Sequence, residues 1–270
     1  MHSDLKLQGR QMSIHLTIDG GLATVVFDNP ASLNAMGRTE IAELNQVTGR
    51  IAASDGVKVV LLRAEGPAFG VGGDLRMLGR RTADTPSLLR EIGRELNPAI
   101  LRLHALPAIV VASVHGAVAG GSLGVVCAAD LVVAARSTTF NLAYARIAAS
   151  PDAGNSWFLP RIVGPRKALE WMILSDNIDA DTAMANNLVT QVVPDHDLRE
   201  ATDALVRRLL DGPAGSYRRM KRLVLQAGTS SLAQQLDDEI EHFAQAAESP
   251  DFAEGIQAFL EKRKPHFGDQ

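Results

Sequence analysis

Two stretches, FGVGGDL at Phe69–Leu75 and HGAVAGGS at His115–Ser122, decide how this chain is read. Each follows an apolar run of strand character, and the second leads into a run of helical character. The glycines at 70, 72 and 73 let the backbone take positive φ and approach a ligand closely, so that its N–H groups serve as donors. At the second stretch a helix start adds its dipole to exposed N–H groups, which favours an anion or a developing negative charge. Neither stretch has the Lys-Ser/Thr ending of a P-loop or the spacing of a dinucleotide fingerprint. Taken singly, each has a plain alternative: a simple turn for the first, close strand-to-helix packing for the second. His115 reads as a hydrogen-bonded structural residue, since no nucleophile stands beside it.

Outward from these stretches the pattern is α/β. Ile14–Ile18 and Leu22–Phe27 alternate apolar residues around Asp19, Gly20 and Gly21, which predicts a hairpin. Val57–Leu62, Ile109–Val114 and Leu131–Val133 read as further strands. Ile41, Leu44, Val47 and Ile51 mark one helical face, and Leu89, Ile92, Leu96, Ile100 and Leu103 mark another. Past Val193 only helical stripes follow, among them Leu232, Leu236, Ile240 and Phe243. Ser249 as N-cap and Pro250 at the first helical position open the last helix. The expected division is a terminal stretch at 1–12 outside the fold, a core at 13–200 and a helical region at 201–270.

Composition excludes several classes of function. Of 270 residues 46% are apolar and 21% charged, an ordinary globular balance. A net charge of −4 supplies no basic field for nucleic acid or an anionic membrane surface. Leu103–Ala129 carries no Asp, Glu, Lys or Arg, yet Pro107, Gly116, Gly120 and Gly121 interrupt it, so a buried strand followed by a buried helix is expected instead of a membrane span. The single cysteine, Cys127, lies in that apolar run and reads as an inert thiol of a reducing, cytoplasmic setting.

Taken together, the two stretches resemble the paired signatures of the crotonase, or enoyl-CoA hydratase/isomerase, superfamily, most of all its bacterial double-bond isomerases of the phenylacetate type. The resemblance extends to LNAM at Leu33–Met36, AAD at Ala128–Asp130, SPDAGNSWFLPRIVG at Ser150–Gly164 and FLEKRKPHF at Phe259–Phe267. It implies a spiral of repeated ββα units with a helical C-terminal trimerisation region, and a homotrimer or dimer of trimers. It implies an acyl-coenzyme A thioester as substrate, with no tightly bound cofactor and no metal. The thioester oxygen would be held by the backbone N–H groups of Gly73 and Gly121. Coenzyme A would lie along Ser32, Leu33, Gly70, Gly72, Asp74 and Leu75, closed over by Phe259 and Lys262 of a neighbouring subunit. For these last two, an interface phenylalanine and a solvated lysine are the alternatives. Gly79–Ser87, with Arg80 and Arg81, reads as a lid.

The family's hydratases add water with two glutamates, and the matching positions here are Gly124 and Tyr144. Each acid or base is worth ~10²- to 10⁴-fold, so water addition is disfavoured. Asp152 matches a third position at which isomerase-like members carry an acid. An isomerase needs one base that takes a proton at one carbon and returns it two carbons away. The resemblance therefore implies 3-enoyl-CoA to 2-enoyl-CoA isomerisation with Asp152 as proton shuttle. The competing expectations are a hydratase with an atypical acid-base set and a non-catalytic acyl-CoA-binding homologue. For Asp152 itself the alternative is a turn or N-cap aspartate. Trp157, Phe158 and Leu159 are candidates for apolar walls around it, or for core.

Overall fold

The computed structural model describes residues 12–78 and 83–268. The expected terminal stretch, save Met12, and the Arg80, Arg81 part of the expected lid lie outside them. Thr85–Ser87, also assigned to that lid, are instead the first turn of a helix, which Pro86 is suited to open because that turn needs no N–H from it.

The chain begins with an antiparallel pair, β1 (Ile14–Asp19) and β2 (Leu22–Phe27), followed by α1 (Arg38–Ala52), β3 (Val59–Ala64) and α2 (Thr85–Ala105). Then come β4 (Ile109–Val114), β5 (Ala117–Ala119), α3 (Gly120–Cys127), β6 (Leu131–Ala135), β7 (Thr139–Asn141), α4 (Asn155–Ile162) and α5 (Pro165–Leu174). The remainder is β8 (Ile178–Asp179), α6 (Ala180–Ala185), β9 (Gln191–Val193), α7 (Leu198–Leu210), α8 (Ala214–Ala227), α9 (Leu232–Ala247) and α10 (Pro250–Glu261).

One sheet of six strands runs β1-β2-β3-β4-β6-β9, parallel from β2 onward, and a second runs β5-β7-β8. Strands β4 and β6 of the large sheet each hand the chain to a short strand of the small one, β5 and β7. Gly70, after β3, makes an isolated parallel bridge to Val118 in β5 and so stands where a third short strand would be. This is the repeated ββα spiral.

The continuous β-branched runs are explained by burial on both faces. Val60, Leu62, Val110 and Ala112 point into the main core, shared with α1 and α2. Val59, Leu61 and Val111 point the other way, onto Val206 of α7. The boundary expected near residue 200 thus falls inside a helix that packs on the sheet. Lys221 of α8 reaches the body too, donating to the Ala108 carbonyl (3.1 Å) and the Asp130 carboxylate (2.7 Å). Ser249 caps α10 by accepting from the Phe252 N–H.

Candidate active site

The Phe69–Leu75 loop is fastened on two sides by main-chain bonds. Towards β5, the Phe69 N–H donates to the His115 carbonyl (2.9 Å), Gly70 to Ala117 (3.1 Å) and Ala119 to Gly70 (2.9 Å). Towards Leu33–Met36, Val71 donates to Leu33 (3.2 Å), Met36 to Gly72 (2.8 Å) and Asp74 to Met36 (3.1 Å). Asn34 explains the polar residue inside LNAM. It is buried at a positive φ of 55°, and its amide donates to the carbonyls of Glu65 (2.9 Å) and Ala68 (2.8 Å).

The two glycine stretches meet backbone to backbone. Gly72 has φ +87°, and a Cβ there would stand 2.9 Å from the Ala119 carbonyl oxygen and 3.0 Å from the Gly121 nitrogen. Its own N–H donates to Ser122 Oγ (3.0 Å). Among the described residues the Gly73 N–H has no protein acceptor. Gly121 lies in the first turn of α3, where N–H groups have no intrahelical acceptor. Two donors on adjoining loops are therefore left for something else.

Asp152 stands beside them. Its Oδ1 is 3.7 Å from the place a Gly121 Cβ would occupy, next to Met36 Cε at 3.3 Å. The Tyr144 hydroxyl donates to that same Oδ1 at 2.5 Å. Tyr144 is buried, and burial, then the charge of Asp152, pushes its hydroxyl above the ordinary range, so it stays a donor at neutral pH. Asp152 itself is exposed in the single chain and is not an N-cap, since Gly154 precedes α4.

The glutamate positions of hydratases are occupied differently here. A Cβ at Gly124 would overlap the carbonyl oxygen of Ala153, the residue after Asp152. The missing side chain is thus what lets the Asp152 turn lie against α3.

Of the expected site residues, Leu33, Gly70, Gly72, Gly73, Asp74, Gly121 and Asp152 come together. Leu75 follows on the same loop, and Ser32 closes the neighbouring turn with its hydroxyl on the Asn29 carbonyl (3.1 Å). Asp74 is engaged by Arg76 (2.8 Å), whose hydrogen bond holds its carboxyl below the usual range. Phe259, 82% exposed, and Lys262, the left-handed cap of α10, make no hydrogen bond, ion pair or ring contact with either loop among the described residues. Phe158 and Leu159 are core, while Trp157 is exposed beneath Arg161. His115 Nε2 bonds the Gly66 carbonyl (2.8 Å), a structural tie. Asn155 escaped the sequence reading: fully buried, its amide touches the Gly120 carbonyl, the Tyr144 hydroxyl and the Asp152 carbonyl, each at 3.1 Å.

The model of the enoyl-CoA hydratase/isomerase family matches residues 17–270, and the chain belongs to that family. A probable enoyl-CoA hydratase of Rhodobacter capsulatus is 34% identical over 94% of this chain and 97% of its own length. The 1,2-epoxyphenylacetyl-CoA isomerase of Escherichia coli is 32% identical over 93% and 96%. Among solved structures, an enoyl-CoA hydratase from Polaromonas sp. JS666 superposes with a TM-score of 0.87 at 28% identity, covering 94% of this chain and 99% of that one. The spiral fold and its place among acyl-CoA enzymes are thereby established, while relatives named for hydration and for isomerisation stand side by side.

Proposed function

We propose that the chain moves a carbon-carbon double bond in an acyl-CoA thioester, of the 3-enoyl to 2-enoyl type, through an enolate. Asp152 takes the proton from the carbon between thioester and double bond. The electron pair spreads onto the thioester oxygen, and the same proton returns two carbons further along as the double bond closes beside the thioester. The free N–H groups of Gly73 and Gly121 hold the negative oxygen, a contribution of about 3 kcal/mol for each such donor. One observation carries the reading: a single carboxylate stands beside Gly121, while the positions of a hydratase pair are a glycine closed off by Ala153 and a tyrosine that bonds Asp152. The name of the Rhodobacter capsulatus relative favours hydration as the second reading, with Asp152 and a water as an improvised pair.

In this reading coenzyme A runs along Ser32, Leu33, Gly70, Gly72, Asp74 and Leu75, with Phe259 and Lys262 supplied by a neighbouring copy in a homotrimer or dimer of trimers. The exposed stripe of α9 supports such an assembly.

The test offers a 3-enoyl-CoA in deuterium oxide to the enzyme and to Asp152→Asn. The enzyme yields the 2-enoyl isomer and exchanges the α-proton; the variant loses both by 10²-fold or more. Undiminished exchange in the variant removes Asp152 from its role, and net hydration of a 2-enoyl-CoA at a faster rate than isomerisation selects the second reading.

A further inference from the structure

We propose that Asn155 is the positioning residue of this site: it compels Tyr144 to donate to Asp152 Oδ1, leaving Oδ2 as the oxygen that carries the proton. The inference rests on the assignment of Asp152 as proton carrier and adds how that carboxylate is held.

The orientation of Asn155 follows from its neighbours. Two of the three oxygens around its amide nitrogen are main-chain carbonyls, Gly120 and Asp152, which can only accept. Turned over, the side chain would set its own carbonyl against both, so the NH₂ group must face them. Its Oδ1 is left buried with no partner among the described residues, a cost tolerated because the other end satisfies so much. With the amide fixed, the third contact is fixed as well. The NH₂ group has two hydrogens for these three oxygens and cannot itself accept, so the phenol's single hydrogen must point elsewhere. The acceptor it meets is Asp152 Oδ1 at 2.5 Å. Oδ2 has no hydrogen bond among the described residues.

Asn155 also ties the acid to the neighbouring loop, since Gly120 immediately precedes Gly121. One buried amide thus spans the proton carrier, its hydrogen-bond donor and the loop that bears one of the two free N–H groups.

Among the described residues no other ionisable group forms a hydrogen bond or ion pair with Asp152, Tyr144 or Asn155. Helix α3 carries only the Cys127 thiol, which burial keeps protonated. Arg146 donates to the Ser175 carbonyl at 2.5 Å, Arg161 covers the Trp157 ring at 3.9 Å, and Asp74 is paired with Arg76.

The test compares Tyr144→Phe, Asn155→Ala and the double variant in the isomerase assay across pH. Tyr144→Phe lowers kcat by roughly 10-fold with little change in KM. Loss of a donor to a carboxylate makes it more basic, so the acid limb of the kcat/KM profile moves up by roughly half a pH unit or more. Asn155→Ala moves the limb in the same direction, and adding it to Tyr144→Phe moves the limb no further, because both act on the one bond to Asp152 Oδ1. An unmoved profile in Tyr144→Phe, or limb shifts that add in the double variant, overturns the inference. Should Asn155→Ala not fold, Tyr144→Phe keeps the packing and decides alone. Asp152→Asn, run alongside, separates the two levels. If it abolishes exchange while Tyr144→Phe is unaffected, only the positioning role falls; if it leaves exchange intact, the assignment of Asp152 falls.

Discussion

Two helices of this chain show opposite relations to their surroundings. In α3 every residue but the first is buried, and the helix has no polar face. In α9 no residue is buried, and Leu232, Leu236, Ile240 and Phe243 form one apolar stripe that is 50–75% exposed. The first is fixed by what already encloses it, so even a single methyl must be accommodated. The second keeps a face that only contact with another surface can cover. Helix α3 is thus enclosed and the C-terminal end open, and substitutions in the two regions should fail in different ways.

The largest effect is expected from forcing a hydratase-like acid into the closed region. Gly124→Glu must displace the Ala153 carbonyl and with it the Asp152 turn. Loss of isomerase activity without gain of hydration, together with a markedly lower melting temperature, is the expected outcome. A well-folded variant that hydrates 2-enoyl-CoA would break the contrast at its rigid end. At the open end, Leu236→Asp with Ile240→Asp should leave helix content intact while light scattering reports a fall from a multimer to the single-chain mass of 28.8 kDa. A parent protein that already elutes at that mass would show that the stripe needs no cover.

The seam between the regions gives the third test. Lys221, nearly buried, bonds Asp130, whose carboxyl burial pushes up even against the pull of that lysine and of the Val110 N–H. Lys221→Met should cost about 3 kcal/mol in chemical denaturation, as when one member of a buried pair is removed. With the lysine gone, the folded state binds a proton more tightly than the unfolded chain does. Stability then falls as pH rises above the ordinary aspartate range, near 4, and the deficit shrinks on acidification. A pH-independent deficit would place the contribution of Lys221 in packing. The smallest effect is expected at Cys127, whose thiol burial pushes up to about 12. A thiol reagent at pH 8 should leave it unmodified until the chain unfolds.

What the sequence disclosed follows the same division. The glycine stretches were legible because main-chain donors and close backbone approach require glycine; Gly124 and Tyr144 were legible as departures from the hydratase pattern, and Asp152 as a match to a third position. The long strands showed because burial on both faces leaves unbroken apolar runs such as Val59–Leu62. Strands β5, β7 and β8 did not show: two or three residues hold no period, and their partners lie far along the chain. The expected strand at Val57–Leu62 is displaced by two residues, to Val59–Ala64. Asn155 was illegible for a different reason. In SPDAGN it looks like one more turn residue, and its meaning depends on Tyr144 and Gly120, brought to it only by folding.

The junction of Gly72 with Gly121 has a practical consequence. Alanine scanning, the usual means of finding important positions, works by deleting atoms, and at this spot it would insert them. A scan that skips glycines would pass over the junction in silence, and one that includes them would report steric damage instead of a lost contact. To weaken a donor here without adding bulk, the peptide N–H itself must be replaced, as an ester linkage does.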